Sequence, residues 1–190
     1  MTQLKVLGLI LIVVYFALLS IFLAHYTIDS DFLVYYSTAK TIIDPNLPND
    51  AVYIIDETNK YSIPERPQTT RPYVYSLAVA YMLAPFGFFP YYTAKALMIF
   101  INIIVYFISV IIVLRHNKAS DRWFVYPLIL SALWIPFLQN LRAGQVNAII
   151  FFFIVVAVLS ATKRHPIMCG IFLGIAASFK VFPIAIAMVF

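Results

Sequence analysis

Between Tyr91 and Leu114 the chain runs through 24 residues interrupted only by Lys95, near one end, and by Asn102. At about 1.5 Å of rise per residue, such a stretch is long enough to cross a hydrocarbon layer roughly 30 Å thick with some tilt. A helix satisfies its backbone groups there without water. Further apolar runs at 6–24, 123–138, 146–162 and 167–190 lead us to expect an all-α, polytopic integral membrane protein, organised as one transmembrane domain. Only 11% of the residues are charged and 63% are hydrophobic, where a soluble domain carries about a quarter charged residues. The composition therefore excludes a soluble globular enzyme, a disordered tail and a disulfide-stapled secreted module. The 13 Lys and Arg outnumber the 8 Asp and Glu, but they are scattered through the turns between apolar runs. That pattern belongs to membrane topology and predicts a lipid-bilayer partner and no nucleic acid. The single cysteine, Cys169, reads as a small packing residue.

The run 6–24 follows Lys5 and offers no small-residue cleavage site at His25-Tyr26-Thr27, so it reads as a retained anchor. The segment 73–89 is apolar but short, contains Pro85 and ends in Gly87-Phe88-Phe89-Pro90. If it crossed, with Lys5 cytoplasmic, then Arg115, Lys118, Arg122, Lys163 and Arg164 would all lie outside. As a juxtamembrane or re-entrant helix it lets those five join Lys5 on the cytoplasmic side, which the positive-inside tendency prefers. The outer segment 25–72, the turn around Arg142 to Asn147 and the far end of the last run then share one aqueous face. The chain stops at Phe190 inside an apolar run, and the expectation is the front portion of a longer membrane protein.

Seven of the eight acidic residues lie between Asp29 and Glu65, in a segment too long for a plain connector. Over 32–43, Phe32, Tyr35 or Tyr36, Ala39 and Ile42 or Ile43 recur at helical spacing with polar residues between them. This predicts an amphipathic helix lying in the interface. Asp29, Ser30 and Asp31 stand at its start, and two readings are open: they cap the helix, or one carboxylate is a general base held at the membrane surface. From Asp44 to Pro72 the density of Pro, Asn, Asp and Thr predicts irregular chain, with Tyr53 and Tyr61 placed to stack on a sugar or pack at the interface. Arg71, Tyr73 and Tyr75 follow at headgroup height. Arg71 is suited to a lipid phosphate or to snorkelling, and the tyrosines commonly form an interfacial belt.

A second polar cluster occupies 139–147. Gly144 suits a helix end in the left-handed conformation. That leaves Arg142, Gln145 and Asn147 within six residues, a guanidinium and two amides fit to bind a phosphate and hydroxyls. Lys180 lies 13 residues beyond Ile167, about 20 Å along a helix, where a lysine either meets a phosphate or sugar or snorkels to the surface. Pro183, one turn later, is placed to kink that helix. His25, His116 and His165 lie far apart with no carboxylate cluster, so neither a metal nor another cofactor is expected.

In order, Asp31-Phe32 with Tyr35-Tyr36 after the first span, Gly144-Gln145-Val146-Asn147 opening a later helix, and Lys180 followed by Pro183 resemble glycosyltransferase family 87. A small-residue stretch, Gly170, Gly174, Ala176, Ala177 and Ser178, fits the same pattern. These are polyprenol-phosphate-sugar-dependent transferases of the GT-C class. The family often has Tyr-x-Tyr-Pro-Pro where this chain reads Tyr73-Val74-Tyr75-Ser76-Leu77. The resemblance implies a GT-C-like helical bundle with an outer juxtamembrane helix region in the plasma membrane. It also implies inverting transfer of a hexose, commonly mannose, from a polyprenyl-phosphate donor to a hydroxyl of a glycan or glycolipid acceptor on the extracytoplasmic face. Asp31 matches the family's base, with Asp29 in reserve. Tyr35, Tyr36, Arg71, Tyr73, Tyr75, Arg142, Gln145, Asn147 and Lys180 form the candidate substrate-binding set. The competing classes are a transporter or lipid flippase, which predicts repeats and paired broken helices, and a noncatalytic assembly protein.

Overall fold

The computed structural model describes residues 3–26, 30–61, 72–117, 126–127, 129–131, 133–181, 183 and 185, and no strand occurs among them. Helix α1 (Gln3–Tyr26) is followed by α2 (Ser30–Ile43), whose axis is turned 93° from it. A 3-10 turn (Asn49–Tyr53) and the short α3 (Ile55–Asn59) follow in the first outer segment. Then α4 (Leu77–Leu83) runs directly into a second 3-10 turn (Ala84–Phe88). The long α5 (Tyr91–His116), α6 (Ile135–Ala143), α7 (Asn147–Thr162) and α8 (Pro166–Phe179) follow.

Length sorts these helices. The 26 residues of α5 reach about 39 Å, and α5 is the one continuous described helix both long and apolar enough to cross a membrane. Leu77–Phe88 is a shorter apolar helix, as are α7 and α8 with 16 and 14 residues. Of the run 123–138, residues 123–125, 128 and 132 lie outside the described residues. Its described part is helical at 126–127 and 129–131, extended at Trp134, then helical again from Ile135.

α1 lies along α5, where Ala24 packs with Ile99 and Ile103 and the Phe16 and Phe107 rings meet at 5.5 Å. α7 and α8 form a hairpin closed on Ala157, Cys169 and Leu173. The largest core cluster draws on α2, α4, α5, α7 and α8, with Phe32 fully buried at its centre. A buried Phe contributes about 1.5–3 kcal/mol, so Phe32 fixes where the first turn of α2 must sit.

The burial of α2 departs from an interfacial amphipathic helix. Every residue from Phe32 to Ala39 is buried, Ser37 and Thr38 as fully as Phe32. The cause is cover from more than one side: the second 3-10 turn lies so close to the apolar stripe that a Cβ at Gly87 would stand 2.7 Å from the Ala39 carbonyl oxygen, and Val34 packs with Val52, Tyr73 and Ala80. The break in the last apolar run also falls earlier than Pro183. α8 ends at Phe179, and Lys180 is extended (φ −149°, ψ 142°). Proline cannot donate to the carbonyl four residues back, here that of Phe179, and its ring crowds it, so the helix stops ahead of the proline.

Candidate functional site

Two backbone irregularities bring the polar residues together. Gly144 ends α6 in the left-handed conformation (φ 62°, ψ 33°), as its position suggested. A side chain at Gly144 would bring its Cβ within 2.7 Å of Phe32 Cβ, so glycine also permits the α6–α7 turn to rest on the first turn of α2. Gln145 thereby reaches Asp31. The second irregularity is the stop at Phe179, after which Lys180 reaches the start of α7. Ser76, ahead of α4, donates to the Ser178 carbonyl at 3.3 Å and ties the segment entering α4 to the same place.

The outcome is one run of hydrogen bonds. Lys180 Nζ donates to Asn147 Oδ1 at 2.6 Å, and Asn147 Nδ2 donates to Gln145 Oε1 at 2.5 Å. Gln145 Nε2 donates to Asp31 Oδ2. Its polarity is dictated from both ends. An ammonium only donates and a carboxylate only accepts, so each amide must turn its carbonyl toward Lys180 and its NH2 toward Asp31. A second branch lies beneath: Asn140 Oδ1 accepts the Asn147 backbone N–H at 3.3 Å, capping α7, and Asn140 Nδ2 donates to Asn102 Oδ1 at 3.4 Å. Asn102 is anchored by its own bond to the Met98 carbonyl, 2.8 Å long.

Two cavities flank this run. One of about 310 Å³ is lined by Asp31, Val34, Tyr35, Pro72, Val74 and Tyr75. The Tyr35 and Tyr75 hydroxyls are 2.9 Å apart, and the Tyr75 carbonyl accepts from Tyr53 at 3.1 Å. The other, of about 450 Å³, is walled by Tyr106, Trp134, Phe137 and Phe151, with Asn140 and Asn147 at its polar end.

The remaining candidates divide. Tyr36 donates to the Phe89 carbonyl at 3.1 Å and packs edge-on against Tyr91. Tyr73 is buried and donates to the Ser76 carbonyl at 3.0 Å. Both of these hydroxyls are engaged by backbone. Arg142 is exposed on the last turn of α6. Asp29 and Arg71 lie outside the described residues. Asn102 and Asn140 join the network although neither was among the candidate site residues. Asn102 carried a signal, since a polar residue inside an otherwise apolar span is costly and seldom idle.

Chemically, the site sets a carboxylate beside a pocket rich in phenols, with an ammonium on the far side of two amides. Burial, then the hydrogen bond to Tyr75, pushes the Tyr35 phenol well above its ordinary range. The phenol is thereby kept neutral, and Asp31 is the carboxylate that lines the same cavity.

The sequence model of glycosyltransferase family 87 matches residues 73–190, more than half of the chain. The chain belongs to glycosyltransferase family 87. No curated protein and no solved structure matches it. The matched span of this family 87 chain contains Tyr73, Tyr75, Arg142, Gln145, Asn147 and Lys180, whereas Asp31, Tyr35 and Tyr36 precede it. Membership makes glycosyl transfer the general activity and membrane association the setting, with a sugar donor and an acceptor as substrates.

Proposed function

We propose that this family 87 protein is a polytopic, GT-C-type hexosyltransferase of the plasma membrane. It transfers a sugar, mannose by the family resemblance, from a polyprenyl-phosphate donor to a hydroxyl of a glycan or glycolipid on the extracytoplasmic face, with inversion. Asp31 removes the acceptor proton as the acceptor oxygen forms its bond to the anomeric carbon. The bond from that carbon to the phosphate oxygen breaks, and the polyprenyl phosphate leaves with the electron pair. Lys180, aided by Arg142 and Arg71, balances the charge growing on the leaving phosphate. Tyr35 and Tyr75 hold the acceptor, and the groove walled by Trp134, Phe137 and Phe151 receives the prenyl chain.

The observation that carries this reading is the continuous link from the Asp31 carboxylate, in the acidic outer segment, to the Lys180 ammonium, in the last apolar run. An anion suited to deprotonating an acceptor and a cation suited to a phosphate thus stand at the two ends of one run of hydrogen bonds. The exposed row of Val14, Leu18, Ile21 and Phe22 on α1, with Ile101, Ile104 and Ile108 on α5, is the surface a helix pair presents to lipid.

The test uses the full-length protein in proteoliposomes, given radiolabelled mannose either on a polyprenyl phosphate or on a nucleotide. Transfer is expected from the lipid donor alone, and Asp31→Asn is expected to lower it on the order of 100- to 10,000-fold at unchanged abundance. Undiminished transfer by Asp31→Asn would reject Asp31 as the base. Transfer from the nucleotide sugar would reject the donor class.

A further inference from the structure

Gln145 and Asn147 were expected to bind substrate hydroxyls, but the structure engages both amides within the protein. Each has its carbonyl committed on the Lys180 side and an N–H committed on the Asp31 side. Two charged ends fix two neutral groups in one orientation, and hydrogen bonds in such a chain polarise one another. We propose that Gln145 and Asn147 are positioning residues that hold the Asp31 carboxylate at the angle set by Lys180, so that Lys180 orients the base as well as facing the donor phosphate. The inference rests on the transferase reading of Asp31.

Three observations support positioning over substrate binding. Gln145 grips Asp31 through one oxygen, Oδ2, which restrains rotation of the carboxylate about its Cβ–Cγ bond. Asn147 is itself immobilised, its backbone N–H held by Asn140 and its side chain by Lys180 and Gln145. Gln145 is also absent from the walls of both flanking cavities, while Asp31 faces one and Asn147 the other.

Among the described residues Gln145 and Lys180 are linked through Asn147, and a double-mutant cycle between them exposes coupling that independent ligands would lack. The full-length protein in proteoliposomes is assayed with polyprenyl-phosphate mannose as donor and a panel of octyl glycosides as acceptors. Gln145→Leu and Lys180→Met are each expected to lower kcat on the order of 100-fold, the scale of a misplaced catalytic group. The double variant is expected to fall no more than about threefold below the worse single one, because residues acting as a unit are not additive. The acceptor KM of Gln145→Leu should stay within about threefold of wild type, since uniform binding is not what is lost.

Effects that multiply in the double variant would overturn the inference. So would a raised acceptor KM with kcat preserved, which would make Gln145 a substrate ligand. Gln145→Glu keeps the volume but sets a carboxylate against Asp31, and should fall as far as Gln145→Leu; wild-type kcat there would also overturn the inference. Lys180→Arg retains a donor toward Asn147 and should recover at least about tenfold of the kcat lost in Lys180→Met, which a purely volume-filling role would not do. Independent effects in an active enzyme defeat this inference alone, whereas a wild-type protein that transfers no sugar defeats the transferase reading and this inference together.

Discussion

The Lys180 ammonium and the Asp31 carboxylate are joined through the side-chain amides of Asn147 and Gln145, every donor pointing from the cation to the anion. Such a run tolerates no reversal at either amide, and it depends on backbone that presents both at the right height.

Gly144→Ala should be among the most damaging single-methyl changes in the protein. The left-handed conformation costs an L-residue about 1–2 kcal/mol, and the added Cβ would press within 2.7 Å of Phe32 Cβ. A lower melting temperature in detergent and a loss of transfer per folded molecule are both expected, since the strain falls one residue before Gln145. Gly170→Ala is the control. Its added Cβ meets nothing within 4 Å in mid-helix, and alanine there should stabilise by roughly 0.5–1 kcal/mol. Equal melting temperatures for the two variants would contradict the proposed dependence on Gly144.

Asn140→Leu removes the acceptor for the Asn147 backbone N–H and the donor to Asn102. Leaving buried partners unsatisfied costs about 1–3 kcal/mol. Asn140→Asp retains the acceptor over α7 but sets a carboxyl oxygen against Asn102 Oδ1, so at acid pH, where that carboxyl is protonated and adds no buried charge, its melting temperature should lie between those of wild type and Asn140→Leu. Reversal of that order in thermal unfolding would show that volume, not capping, is what Asn140 supplies.

The helical class could be read from the sequence because a long apolar run leaves a backbone no other way to satisfy itself, and the left-handed Gly144 because helix ends favour that residue. The pairing of Gln145 with Asp31 could not, since it rests on a contact between Phe32 and Gly144 across 112 positions. The burial of Ser37 and Thr38 was equally hidden: polar spacing on α2 implies a wet face, and only tertiary packing around the helix closes it. Tyr36 and Tyr73 stand in the candidate set beside the family resemblance, and the sequence does not display the partners of their hydroxyls. Here neighbouring carbonyls engage both.

Phe151→Gln places an amide in the wall of the 450 Å³ groove that ends at Asn140 and Asn147. If the groove takes the prenyl chain, the KM for a long-chain donor should rise severalfold with kcat preserved, while a donor truncated to two isoprene units is hardly affected. Each buried methylene is worth about 0.8 kcal/mol, so chain-length dependence is a sensitive readout of this contact. Equal changes for both donors would remove the groove from the donor site.

Asp44 and Tyr61 close the outer segment through a hydrogen bond from the phenol to the carboxylate. That bond, with the Asn46 backbone N–H, holds the Asp44 carboxyl below its ordinary value of 3.8. Burial, then Asp44, raises the Tyr61 phenol from 10.0 to about 12. A depressed carboxyl stabilises the fold above its unfolded value and loses that contribution as pH falls through the folded one. A raised phenol contributes fully below 10.0 and loses its contribution as pH rises through about 12. The tie should therefore hold across the neutral range and fail at both extremes, with a modest effect because Asp44 is only partly buried. In wild type, limited proteolysis of the outer segment should be slowest on that plateau and quicken on either side. Tyr61→Phe removes the donor, so cleavage should be faster on the plateau and lose most of this pH dependence. A wild-type profile retained in Tyr61→Phe would mean that other groups close the segment.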